Sequence, residues 1–203
     1  MSTAELVRTF IALDVPAELK GRIETLQGML RGVRGARVAW TRSEGIHLTL
    51  KFLGDVPRDR IEAVVDAVGE ATGGFDPIRL ITTGLGSFPN LKRPRVLWLG
   101  VDGGERLLRL QARVEASLEG LGFPREGKRF HPHLTVGRVK ALDRGSELMQ
   151  LFTGGEIDET VWEAGEVRVM SSRLRPTSAE YSVLAVCPFK SGPMQQGTIP
   201  TRD

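Results

Sequence analysis

The stretch Ile46-His47-Leu48-Thr49-Leu50-Lys51-Phe52-Leu53 is answered later in the chain by Pro132-His133-Leu134-Thr135-Val136-Gly137-Arg138-Val139. Both are runs of aliphatic and β-branched residues, and both read as strands. Side chains alternate across a strand, so His47 and Thr49 face one way while Leu48 and Leu50 face the other. His133 and Thr135 are set against Leu134 and Val136 in the same manner. Each strand therefore has a chemical side and a core side.

Two imidazoles and two hydroxyls are what an in-line phosphoryl transfer needs when no metal takes part. One histidine accepts a proton from the attacking oxygen and the other gives one to the leaving oxygen; an ordinary pKa of about 6.5 suits either role near neutrality. The threonine hydroxyls can donate to the non-bridging phosphate oxygens as charge builds on them. A lone strand histidine is usually structural. Here the chain has 3 histidines, and two of them stand in matching four-residue contexts.

On these residues the chain resembles the two-histidine phosphoesterase superfamily, whose signature is the repeated His-x-Thr-x. Its flanks resemble one branch, the RNA 2′,3′-cyclic phosphodiesterases, LigT-like proteins also studied as 2′-5′ RNA ligases. The similar stretches are Arg8-Thr9-Phe10-Ile11-Ala12-Leu13, His47 through Gly54, Gly84 through Pro89, Pro94 through Gly100, Phe130 through Arg138, and a late strand ending at Tyr181. A departure precedes the first motif, where the family tends to have a Pro-Glu-Asn-like turn and this chain has Arg42-Ser43-Glu44-Gly45-Ile46.

The resemblance implies an α+β fold in which two pseudo-symmetric lobes of antiparallel sheet, with outer helices, flank a central groove. It implies opening of the terminal 2′,3′-cyclic phosphate of RNA to a 2′-phosphomonoester without metal or other cofactor, with reversible 2′-5′ ligation as a companion activity. Spacing leaves the acid and the base unassigned; the resemblance makes His47 the proton donor and His133 the proton acceptor. Expected partners are RNA ends bearing the cyclic phosphate, tRNA fragments among them, with no membrane and a monomeric protein. Two alternatives stand beside this reading: a cyclic phosphodiesterase acting on a small nucleotide or on ADP-ribose cyclic phosphate, and a non-catalytic RNA-end binding protein.

With 203 residues, 40% hydrophobic and 26% charged, the chain is expected to form a globular unit over 1–190 with a disordered polar tail over 191–203. The single cysteine, Cys187, excludes an internal disulfide framework and fits a reducing, cytoplasmic setting as a small apolar strand residue. Glu5 and Arg8 interrupt the N-terminal apolar run, so no signal peptide or spanning helix is expected. The net charge is +3. Positive residues gather in sequence around both motifs: Arg31, Arg34, Arg37 and Arg42 before the first, Lys92, Arg93 and Arg95 in mid-chain, and Lys128, Arg129, Arg138 and Lys140 around the second.

Periodicity predicts a doubly buried strand over 7–15, a helix over 17–30 on a Leu19, Ile23, Leu26, Leu30 stripe, a short strand at Val38-Ala39-Trp40, and a helix opened by Pro57. Strands over 78–83 and 96–101 follow, joined by a loop from Gly84 to Asn90 that lacks any nucleotide-binding glycine fingerprint. Helices over 105–121 and 143–152, one strand over 161–170 and another over 179–187 complete the pattern.

Other side chains are candidates of lesser rank. Lys51 shares parity with His47 and Thr49 and is expected to line the groove. Arg138 falls on the opposite parity from His133 and reaches a phosphate only if the strand bulges after Gly137. Phe88 and Tyr181 are candidates to stack on a terminal base. His131 forms His-x-His with His133, but a catalytic zinc needs three protein ligands; packing or hydrogen bonding is the expected role of His131, with no metal bound.

Overall fold

The computed structural model describes residues 5–155, 157–174 and 179–190. The elements are β1 (Leu6–Leu13), α1 (Ala17–Leu30), β2 (Ala36–Trp40), β3 (Leu48–Pro57), α2 (Ile61–Thr72), β4 (Ile78–Phe88), β5 (Val96–Asp102), α3 (Gly104–Gly120), β6 (His133–Leu142), α4 (Leu148–Gly154), β7 (Val161–Ala164), β8 (Glu166–Leu174) and β9 (Ala179–Pro188). The strands join in the order β7-β4-β5-β6-β3-β1-β8-β9, with β2 added alongside β6, and each named pair is antiparallel. This is an α+β fold. The expected two-lobed arrangement is visible in the strand order, because the motif strands β3 and β6 meet at its centre.

Local sequence accounts for the helices. Pro16 supplies a fixed φ at the start of α1, and Leu19, Ile23, Leu26 and Leu30 recur at three- and four-residue spacing and are buried. Leu107, Leu110, Val114 and Leu118 form the buried stripe of α3. Each such side chain contributes about 1.5–3 kcal/mol on burial. Truncating a fully buried one such as Ile23 to alanine costs about 2–5 kcal/mol.

The helices cross over between the lobes. α1 follows β1, yet Gln27 on its buried side donates from Nε2 to the carbonyls of Thr41 (2.8 Å) and Val136 on β6 (2.9 Å). α3 follows β5, yet its Glu115 pairs with Lys51 on β3, Oε2 to Nζ 2.5 Å. Each motif strand thus rests on the helix that follows the other lobe's strand.

Three expectations need correction. The segment Gly84 to Phe88 continues β4 as strand, because Gly86 lies beneath Trp98 of β5, where any Cβ would overlap the indole. Glycine there marks a close approach within a strand, not a turn. The strand expected over 161–170 is two strands at different places in the sheet: β7 pairs with β4, β8 pairs with β1, and Gly165 lies between them. The fourth helix begins at Leu148, not at Asp143. Residues 175–178, between the paired strands β8 and β9, and the expected tail over 191–203 lie outside the described residues.

Candidate active site

β3 and β6 meet at a single residue pair, Leu48↔Leu134, with both leucines fully buried. Their side chains point to the core, so the flanking residues point to the other face. Carrying the antiparallel register one residue each way sets His47 on the side of Thr135 and Thr49 on the side of His133. All four are partly exposed. The bridge brings both His-x-Thr pairs into one two-fold arrangement.

The two histidines sit in different surroundings. His47 stacks on Phe10 of β1 (ring centroids 4.6 Å, 29°) and takes the edge of Tyr181 from β9 (5.5 Å, 69°). Its Nδ1 is buried with no hydrogen-bond partner among the described residues. Burial first, and then the charge of Lys20, lower its pKa to about 4, against an opposing pull from Asp14. His133 meets the edge of Phe88 (5.0 Å, 85°) and stands near Trp98. Its Nδ1 lies 2.6 Å from the carbonyl oxygen of His131. A carbonyl only accepts, so Nδ1 carries the hydrogen and Nε2 presents its lone pair. Burial lowers the His133 pKa; the bond to the His131 carbonyl works against this, and the charges of His131 and Arg138 add to it.

Bulges decide which neighbours join this face. Against β1, β3 carries an extra residue between Thr49 and Lys51 and another between Phe52 and Gly54. The first reverses parity after Thr49, so Lys51 turns inward. It is 1% exposed and bonded to Glu115 and to the carbonyl of Pro124 (2.7 Å), which corrects the expectation that it lines the groove. Phe52 takes the groove side instead, 5.6 Å from the Phe10 ring. In β6 the extra residue lies between Thr135 and Gly137, one position earlier than the bulge Arg138 was expected to need. Arg138 is exposed, and its charge reaches both His133 and Tyr181.

Phe88 and Tyr181 each flank one histidine. Gly45, in the 3-10 turn Ser43–Gly45 that occupies the family-divergent segment, leaves room for the Tyr181 ring; a Cβ there would stand 2.9 Å from its Cε2. His131 packs its ring on Trp98 (4.8 Å) and Phe88 (5.4 Å). Among the described residues no group of three His, Cys, Asp or Glu side chains gathers to hold a metal.

A cavity of about 540 Å³ opens on the His133 half, lined by Thr49, Phe52, Phe88, Arg95, Lys128, Arg129 and His133 among others. Phe10, Phe52 and Trp98 were not singled out from sequence. The Phe10 signal was available, since it lies in one of the similar stretches; Phe52 reaches the groove only because of a bulge.

Known proteins agree with this architecture. Residues 15–175 match the family model described as the 2′-5′ RNA ligase superfamily. A Thermotoga maritima protein named RNA 2′,3′-cyclic phosphodiesterase is 35% identical over 92% of this chain and 97% of its own length. A protein of the same name from Methanothermobacter thermautotrophicus is 33% identical over 89% and 97%. A crystal structure of a Thermus thermophilus protein superposes with a TM-score of 0.73 at 26% identity, covering 90% of this chain and 97% of that one. E. coli LigT complexed with 3′-AMP shares the fold, with a TM-score of 0.72 at 23% identity over 91% and 99%. With its two His-x-Thr strands bridged at the centre of the sheet and these matches spanning most of its length, the chain belongs to the 2′-5′ RNA ligase superfamily.

Proposed function

We propose that the protein hydrolyses the terminal 2′,3′-cyclic phosphate of RNA to a 2′-phosphomonoester, without a metal. The observation that carries this reading is the Leu48↔Leu134 bridge, which gathers two imidazoles and two hydroxyls on one face. The relatives' shared name supplies the substrate class.

His133 is the base. Its Nε2 takes the proton from an attacking water, whose oxygen bonds to phosphorus as the bond from phosphorus to O3′ breaks. His47 is the acid, and gives its proton to O3′. In the free protein both imidazoles favour the neutral form, and a phosphate anion arriving between them favours charging His47. Thr49 and Thr135 donate to the non-bridging oxygens, with Arg138 adding charge from the far side of the bulge. Phe88 and Tyr181 are placed to hold bases. When a 5′-hydroxyl replaces water the same step forms a 2′-5′ linkage, which is the ligation the reading includes. We place the protein in the cytoplasm as a monomer, with tRNA fragments among its substrates.

The test is incubation with an oligonucleotide ending in a 2′,3′-cyclic phosphate in excess chelator, followed by identification of the product end. A 2′-phosphate at an undiminished rate is expected. Loss of turnover on dialysis against chelator, restored by zinc or manganese, overturns metal independence; tight binding without turnover overturns the enzyme reading.

A further inference from the structure

His133 has a bonded partner for Nδ1 and His47 has none among the described residues. A histidine that must carry a proton as an acid needs its charge supported from somewhere. Asp14 directly follows β1 and His47 directly precedes β3. The register Ala12↔Thr49, Leu13↔Leu48, carried on by one residue, sets Asp14 opposite His47.

The Asp14 carboxylate is held from both sides. Oδ1 lies 2.9 Å from Lys20 Nζ, on the first turn of α1, and Oδ2 lies 2.8 Å from Arg168 Nη1 on β8. Arg168 is held in turn by Glu166, Nε to Oε1 2.8 Å. Asp14 and Arg168 line a separate cavity of about 410 Å³ that includes none of the four His-x-Thr residues, so the cluster stands outside the cavity beside His133. Burial pushes the Asp14 carboxyl up, but the hydrogen bond and charge of Lys20, the backbone bond from Val15 and the charge of Arg168 together keep it below the ordinary range. It is therefore an anion at neutral pH.

We propose that Asp14, clamped between Lys20 and Arg168, is a positioning residue for His47: it supports the imidazolium across the β1–β3 pair, as the His131 carbonyl fixes the neutral tautomer of His133. The inference rests on the acid role of His47. The charged groups acting on His47 oppose each other, Asp14 from the end of β1 favouring the imidazolium and Lys20 from α1 disfavouring it. Phe10 and Tyr181 supply ring contacts, and Arg168 acts through Asp14. Removing Lys20 or Asp14 therefore moves His47 in opposite directions, and a loss confined to the substrate that needs an acid separates support of His47 from a merely structural ion pair.

The experiment is an imidazole titration by NMR on the full chain, whose 3 histidines are assigned by replacing each in turn. In Asp14→Asn, His47 should stay neutral to lower pH; in Lys20→Met it should protonate at higher pH, each by about half a pH unit or more, with His133 unmoved. Asp14→Asn should also slow hydrolysis of the cyclic phosphate by about tenfold while leaving a diester with an activated aryl leaving group within about twofold of wild type, because that leaving group needs little acid. An unmoved or upward-shifted His47 in Asp14→Asn, or equal loss on both substrates, overturns the proposal; if Asp14→Asn does not fold, the same titration and substrate pair are read in Asp14→Ser. Failure of the acid reading itself shows separately, as a His47→Ala variant that gains nothing on the aryl substrate.

Discussion

The two halves of the site are alike in what they present and unlike in what holds it. His133 is fixed from behind by a carbonyl two residues back along its own chain, and its strand rests on the neutral amide of Gln27. His47 lies between the rings of Phe10 and Tyr181 with Nδ1 unbonded among the described residues, and its strand rests on the buried Lys51–Glu115 ion pair. A base needs a defined lone pair, which a hydrogen-bonded tautomer provides. An acid must gain and lose charge, which an unfixed ring beside balanced charges permits. Near-symmetry of the motifs thus coexists with unequal supports, which suit the base and acid roles proposed for His133 and His47.

The largest expected effect tests those roles. Replacing either histidine by alanine should slow hydrolysis of the cyclic phosphate on the order of 10²–10⁴-fold. On a phosphodiester with an activated aryl leaving group His47→Ala should recover much of its rate relative to wild type, while His133→Ala stays crippled. Recovery in His133→Ala instead reverses the roles; recovery in neither means that the pair does not act as acid and base.

Next in size is the contrast beneath the strands. Lys51 is 1% exposed, and its partner Glu115 is 5% exposed. Lys51→Met leaves the carboxylate of Glu115 buried without its ammonium partner and should cost about 3–5 kcal/mol in denaturant unfolding. Lys51→Met with Glu115→Leu should recover most of this, since an apolar pair of similar volume replaces a desolvated ionic one. The folded single variant should keep the wild-type KM. A raised KM in the double variant would return Lys51 to the substrate.

Lys51 also marks the limit of what could be read from sequence. The elements were legible wherever one period governs a whole segment: α1 begins and ends where its apolar stripe and Pro16 placed it, and α3 is displaced by one residue at each end. Strict alternation also placed His47 with Thr49 and His133 with Thr135. It failed one residue beyond each motif, because a single inserted residue reverses every side chain after it. The bulge in β3 removed Lys51 from the groove and brought Phe52 to it, and a separate bulge in β6 precedes Arg138. The meeting of β3 and β6 is one residue pair between strands far apart in sequence, and no local pattern encodes it. The Asp14 cluster joins β1, α1 and β8, and was invisible for the same reason.

A smaller effect separates the histidines by acid stability. Burial lowers the His47 pKa from 6.5 to about 4 in the folded chain, whereas the unfolded chain protonates near the ordinary value. Between those values the unfolded state binds more protons. The stability associated with neutral His47 is therefore full above pH 6.5 and is lost as the pH falls toward about 4, amounting to roughly 3 kcal/mol. His133, also lowered, acts in the same direction. Urea midpoints at neutral and acidic pH should converge in His47→Asn more than in His133→Asn. Equal behaviour of the two variants would erase this difference between the half-sites.

The smallest effect concerns the cations, which are also unequally shared. Arg95, Lys128 and Arg129 line the cavity on the His133 half, and Arg138 acts on His133 across the bulge. An RNA strand leaving the cyclic phosphate on that side would meet about two of them through its backbone. Single strands release roughly 0.7 counterions per phosphate neutralised, so the log–log slope of affinity against salt should be about −1.4. Between about 50 and about 200 mM salt, binding of a short oligonucleotide should therefore weaken about sevenfold. A mononucleoside cyclic phosphate lacks the extra phosphates and should change much less. Arg95→Met with Lys128→Met should flatten the oligonucleotide slope toward that of the mononucleotide, while Arg8→Met, on the His47 half, should leave it unchanged. Equal salt dependence for the two ligands in the unmodified protein excludes an extended backbone contact; a slope flattened by Arg8→Met moves the RNA path to the other half of the groove.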